Sequence, residues 1–237
     1  MSAFIVLNNR RGLHRRARAT LAAVDAWCTS HFGKDALQFC QALTTRFNAG
    51  LVVLRGVSGN RLLVRARLHQ AGVHVATIGL RLDPTQRQAH ISWFVVTPTG
   101  RGGATTRHLL QNILLVERDC GIGRITLQAA LTHGAYVWAV HGFLPVPDAA
   151  WLALAGRLAA KLAGVASDLA PSQVAAVDGL LRSPDRRALR AIAALAAPFG
   201  GTTLGKYLLM GESWSGELDL SDEPSALIYF RRIGLMP

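Results

Sequence analysis

Apolar residues recur along this chain with two different periods. Up to residue 47 the spacing is helical: Leu21, Val24 and Cys28, with Trp27 beside them, form one stripe, and Leu37, Cys40 and Leu43 form another within Lys34 to Phe47. A short apolar run at Phe4 to Leu7 precedes them as a candidate strand. From Leu51 the period falls to two, in runs Leu51 to Val57, Arg61 to His69, Val73 to Leu82 and Ile91 to Val96. Ser58-Gly59-Asn60, Gln70-Ala71-Gly72 and Asp83-Pro84-Thr85 part these runs, and the first two are short enough for hairpins. An antiparallel meander follows. Within it Leu63, Arg65 and Arg67 alternate with Leu62, Val64, Ala66 and Leu68, which makes one face wet and positive and the other buried.

After Pro98 the period changes again. Leu109, Leu110, Ile113, Leu114 and Val116 predict a helix, Gly121-Ile122-Gly123 stops it, and Arg124 to Ala129 reads as a strand. A short helix from about Gly134 ends at Gly142-Phe143. Beyond Pro145-Val146-Pro147 the composition turns to Ala/Leu-rich helices. Their stripes are Trp151, Leu154, Leu158 and Leu162, then Val174, Val177 and Leu181, then a helix capped by Ser183, opened by Pro184 and carrying Leu189, Ile192 and Leu195. Residues 204 to 222 show neither period, and Ser221 or Asp222 caps a last helix with Leu227, Ile228 and Phe230. The class is α+β, a mixed α/β arrangement, with domains expected at 1–146 and, for the helical extension, 147–237.

Charge adds an asymmetry. Of 26 Lys+Arg and 14 Asp+Glu, residues 1–111 hold 15 and 3, a net of +12, and residues 112–237 hold 11 and 11, a net of zero. Such a bias suits an acidic partner: nucleic acid, anionic lipid or the phosphates of a nucleotide cofactor. The densest run contains Arg10, Arg11, Arg15, Arg16 and Arg18 with no acid before Asp25. It reads either as a phosphate-contacting segment or as the solvated start of the first helix.

Cys28, Cys40 and Cys120 cannot all pair, and none has zinc-ligand spacing, so the expectation is a reduced chain without a metal. Arg157 and Lys161 interrupt the longest apolar stretch, and Met1 to Leu7 is apolar before it is basic, the reverse of a secretory signal. The expected location is therefore cytoplasmic, with no membrane span.

The turn Pro98-Thr99-Gly100-Arg101-Gly102-Gly103-Ala104 joins an apolar strand to a helix, and glycine-rich backbone at a helix start is a seat for phosphate. This turn, the order of elements around it and the closing His141-Gly142-Phe143 together resemble the acetyl-coenzyme-A-dependent N-acetyltransferase family known as GNAT, over roughly residues 50–145. Thr99 stands where the family has Gln or Arg. The resemblance implies acetyl-CoA as co-substrate, with the backbone of Val95, Val96 and Thr97 along the pantetheine arm and Arg101, Gly102, Gly103, Ala104 and Thr105 around the pyrophosphate. It also implies a tyrosine four residues before the closing Gly-Phe, where this chain has Trp138. Tyr136 is the nearest tyrosine, about 200° round a helix from Trp138.

An amine acceptor needs a base. The only acid in residues 51–116 is Asp83, in a turn, which leaves His90, His133 and His141. His133 as base and Tyr136 as proton donor are the catalytic candidates, with Ser92 behind them. Two readings result. One is an N-acetyltransferase acting on an amine of a protein, an aminoacylated RNA or a small molecule. The other is a catalytically degenerate member of the same fold that binds nucleic acid or protein through its basic N-terminal half. GAYVWAVHGF and the Leu/Gly/Trp tail also look like segments of phage head-associated and bacterial effector proteins.

Overall fold

The structure, a computed structural model, describes residues 3–5, 16–47, 49–58, 60–101 and 104–236. Arg10, Arg11, Arg15, Gly102 and Gly103 lie outside them, and of Arg16 only the backbone is described, at the start of a helix. The chain divides into two compact units. Residues 1–125 with 233–237 form the first and residues 126–232 the second.

In the first unit β1 (Ala3–Ile5) is followed by α1 (Arg16–Phe32), α2 (Ala36–Thr44), β2 (Ala49–Ser58), β3 (Arg61–Gln70), β4 (Val73–Asp83), β5 (Gln88–Val96) and α3 (Thr105–Asp119). The strands lie in the order β1-β2-β3-β4-β5; β1 runs parallel to β2 and the rest form the antiparallel meander. The β3–β4 hairpin closes through Ala71 and Gly72, both at positive φ (49° and 79°), the two-residue geometry that suits the twist of paired strands.

Leu62, Val64, Ala66 and Leu68 on β3 and Ile78, Leu80 and Leu82 on β4 are buried, as the alternation requires. Helices α1, α2 and α3 pack on one another and on this sheet, with Val24, Trp27 and Cys28 inward. Asp35 and Gln38 form a reciprocal capping box at the start of α2, with bonds of 2.8 and 3.1 Å. This start at Ala36 turns Ala36, Phe39, Cys40 and Leu43 inward and leaves Leu37 44% exposed, which corrects its expected place in the stripe. Asn112 donates to the carbonyls of Leu43 and Thr45, and Gln111 to that of Ile233, tying the end of α2 and the chain's last residues to α3.

Strand β6 (Arg124–Ala129) crosses the division. The second unit continues with α4 (Leu131–Val140), β7 (Leu144–Pro145), α5 (Asp148–Ala163), α6 (Pro171–Leu181), α7 (Ala188–Ala193), β8 (Pro198–Phe199), β9 (Thr202–Thr203), α8 (Leu204–Leu209), β10 (Trp214–Asp219) and α9 (Glu223–Arg232). The Trp151, Leu154, Leu158 and Leu162 stripe is buried along α5 as expected.

Four local expectations in this unit are corrected. Helix α4 begins at Leu131, with Gly134 inside it, because burial of Ala135, Trp138 and Ala139 outweighs the roughly 1 kcal/mol that an interior glycine costs. The helix expected from Pro184 starts at Ala188; the side-chain oxygens of Ser183 and Asp185 accept from the N–H groups of Asp185 and Arg187, in a turn. The tail holds α8 and also β10, which lies between β6 and β7 and buries Trp214, Gly216 and Leu218 at period two, a pattern that Gly216 masks in the sequence. In α9 the buried side chains are Ser225, Ala226 and Tyr229, with Leu227, Ile228 and Phe230 only half-buried, because Ser225 is bonded to Asp222 and to Arg190.

Candidate functional site

The candidate cofactor segment belongs to the first unit. Val95 pairs with Thr77 and Val96 with Ala76, and Thr97 donates its N–H to the Val75 carbonyl at 2.9 Å. Alternation along an antiparallel pair then directs the N–H and C=O of Val95 towards β4 and those of Val96 away from it. Arg101 Nε, 3.4 Å from the Val96 carbonyl, approaches it from that side. Of the three residues singled out for the pantetheine arm, Val96 therefore directs its backbone away from β4, and the Thr97 N–H is already committed.

The turn itself is a single 3-10 segment, Pro98–Gly100. Thr97 Oγ1 lies 3.0 Å from the His74 carbonyl and 2.9 Å from Thr99 Oγ1. The residue in the family's Gln or Arg position thus helps hold the turn against β4. Gly100 is needed for the same packing: a Cβ there would sit 2.5 Å from the Val75 carbonyl oxygen and 3.0 Å from Val96 Cγ1. Gly100→Ala is expected to destabilise the ligand-free protein by about 1–3 kcal/mol, as overpacking does, read by denaturant unfolding. A midpoint equal to that of the parent would show that the turn yields, and the glycine would then have no packing role.

Helix α3 opens at Ala104, which gives its first turn no side-chain cap, followed by buried Thr105. The N–H groups of that turn have no acceptor from a capping side chain, and exposed Arg101 precedes them. Such an opening accepts an anion. Gly102 and Gly103, the remaining residues of the expected pyrophosphate seat, fall outside the described residues.

The catalytic candidates belong to the second unit. His133 is exposed and Tyr136 half-buried, three residues apart on α4, so they are neighbours on one helical face. Trp138, in the family's tyrosine position, is 6% exposed and meets Phe143 edge to face at a centroid distance of 5.1 Å. It is a core residue. His141 Nδ1 lies 2.7 Å from the Val137 carbonyl, and burial lowers its pKa. With Nδ1 donating to that carbonyl, Nε2 is the basic nitrogen. His90, at the opposite end of β5 from Val96, has its pKa lowered by burial and by Arg81.

Sequence reasoning missed two residues. Glu117, one position past the stretch searched for acids, is fully buried on α3; neither carboxylate oxygen has a hydrogen-bond partner among the described residues, and desolvation raises its pKa well above the ordinary value. Only its place on the inner stripe with Ile113 and Cys120 could have signalled that burial. Burial likewise pushes Cys28, Cys40 and Cys120, all free thiols, up to about 12. Trp93 is the second: a bulge at Ser92 turns it onto the wet face of the sheet, 49% exposed.

The fold defines an α+β protein in which an antiparallel meander leads into a strand, turn, helix and strand, the order that the resemblance implied. No protein-family model matches the chain, and no curated protein matches it. Among solved structures the chain is similar to an acyl-CoA N-acyltransferase from Pseudomonas aeruginosa, at 23% identity and a TM-score of 0.31, over 53% of this chain and 78% of that one. Among the described residues no helix is long and apolar enough to cross a membrane.

Proposed function

We propose that the protein is an acyl-CoA-dependent N-acyltransferase, with acetyl-CoA as co-substrate and an amine of a protein, an aminoacylated RNA or a small molecule as acceptor. The observation that supports this reading is the end of β5: the strand stops at Val96, a short turn follows, and α3 begins with its first-turn N–H groups uncapped by any side chain and Arg101 exposed before them. These donors fit a pyrophosphate. In this reading Val96 supplies backbone to the pantetheine arm, and Arg101, Ala104 and Thr105, with Gly102 and Gly103, surround the phosphates. Bound acyl-CoA would supply an activated thioester carbonyl. The chain would contribute orientation, a base to take the amine's proton and an acid for the departing thiolate, roles proposed for His133 and Tyr136.

The test is thermal unfolding with and without acetyl-CoA. At 100 times the dissociation constant, binding is expected to add about 2.7 kcal/mol, a rise of about 5–11 °C for a chain of this size. Gly102→Glu should abolish the rise by crowding and repelling the phosphates. No rise in the parent protein overturns the reading. The burial of Trp138 where the family has its tyrosine favours a second reading, a member of this fold that binds the cofactor without turning it over. Its signature is a melting shift with no free thiol released from acetyl-CoA in the presence of amines.

A further inference from the structure

The wet face of the meander is a built surface that acyl transfer does not use. Directly opposed residues of an antiparallel pair share a face, so the register places Arg65, Gly79 and Trp93 in one row across β3, β4 and β5. Arg67 lies in the row to one side and Arg81 in the row to the other. Trp93 reaches this face only because the strand bulges: Gly79 pairs with Trp93 and Leu80 with Ile91, which leaves Ser92 between them. The indole is 49% exposed in the middle of a sheet, a costly place for the largest apolar side chain. Gly79 beside it is buried and has no room for a side chain: a Cβ there would come within 2.8 Å of Ser92 Oγ and 3.2 Å of Trp93 Cβ, so the bulged strand lies close over the glycine.

The charge on this face is one-sided. Its acid, Asp83, is held by Arg61 at 2.7 Å, a pairing that also lowers its pKa. Among the described residues Arg65, Arg67 and Arg81 form no ion pair, and Arg65 Nε has no hydrogen-bond partner. The excess charge of the chain is concentrated in this unit: residues 1–125 and 233–237 contain 17 Lys+Arg and 5 Asp+Glu, a net of +12, and residues 126–232 contain 9 and 9, a net of zero.

We infer that this sheet face binds single-stranded nucleic acid, with a base stacked on the exposed ring of Trp93 and neighbouring phosphates on Arg67 and Arg81. Stacking on an exposed ring combined with a positive groove is the sequence-tolerant way of holding a single strand. A duplex, whose bases are hidden, could use only the arginines. Adjacent rows on a strand are about 6.6 Å apart, so the arginines stand about that far along the sheet on either side of the ring. The inference is independent of the acyltransferase reading and does not require cofactor binding.

The test is fluorescence anisotropy with labelled 12-nucleotide oligo(U) and oligo(dT) and with a 12-base-pair duplex, in a salt series. The parent protein should bind either single strand more tightly than the duplex. Trp93→Ala should weaken single-strand binding about 5- to 150-fold, the measured range for loss of one stacked base, while Trp93→Phe keeps most of the affinity and shows that the strand is intact. Arg67→Gln with Arg81→Gln should reduce the slope of log affinity against log salt by about 0.7 for each phosphate no longer neutralised; Arg118→Gln, an exposed arginine on α3, should change nothing. The inference is overturned if neither oligonucleotide binds at low salt or if Trp93→Ala binds like the parent. It is also overturned if only the Arg10, Arg11, Arg15 and Arg16 to Gln variant loses affinity, or if phosphatidylserine vesicles bind in place of the oligonucleotides.

Discussion

Glu117→Met is expected to stabilise the first unit, and by more as the pH rises. The carboxyl is fully buried on α3, and neither oxygen has a partner among the described residues. A buried polar group left unsatisfied costs about 1–3 kcal/mol, and more once charged. Methionine has a similar length, fits a helix well and needs no partner. A gain of at least about 2 kcal/mol at neutral pH corresponds to roughly 4–8 °C for a chain of this size.

The sign with pH follows from the direction of the shift. Below the ordinary carboxyl value of 4.5 the group is protonated both folded and unfolded. Above it the unfolded chain releases the proton while the folded chain retains it. Stability therefore falls by about 1.4 kcal/mol per pH unit until the folded carboxyl itself ionises. The Met variant lacks this slope. Denaturant unfolding at pH 4, 6 and 8 should show the two proteins diverging upward in pH; a constant difference between them would mean that Glu117 has a partner after all.

Tyr136→Phe and His133→Ala carry the other large effect. If the proposed chemistry holds, removal of a general acid or base slows turnover about 10²- to 10⁴-fold. Neither residue belongs to the phosphate seat, so the acetyl-CoA melting shift should be preserved in both variants. The readout is free thiol released with a panel of amines, polyamines and lysine peptides. Unchanged turnover in both variants would remove these residues from the mechanism, and a preserved shift without turnover in the parent would leave a cofactor-binding module. Trp138→Tyr, which introduces the tyrosine that the resemblance implies, is not a clean test, because Trp138 is packed against Phe143 and His141 in the core.

The sequence by itself determined whatever depends on neighbours along the chain. The period-two runs fixed the meander and its wet and buried faces, since a strand's alternation leaves one choice when Leu62, Val64, Ala66 and Leu68 must be covered. The helical stripe from Trp151 to Leu162 fixed α5, and the glycine-rich turn after Ile91 to Val96 located the candidate seat. It also showed that the positive charge belongs to the first half.

Only the tertiary structure decided what depends on contacts between distant segments. The run Ile91 to Val96 is nearly all apolar and could turn either way; the bulge opposite Gly79 put Ile91 inward and Trp93 outward. Gly100 reads as phosphate-binding in the motif, and its missing Cβ proves to be required by the Val75 carbonyl. Glu117 looks like any surface acid until the packing of α3 buries it. Trp214 to Asp219 lacks a visible period because glycine occupies one of its inward positions, and pairing with β7 makes it a strand. In each case local propensity is nearly neutral, and the energy that chooses comes from the surface that arrives from elsewhere in the chain.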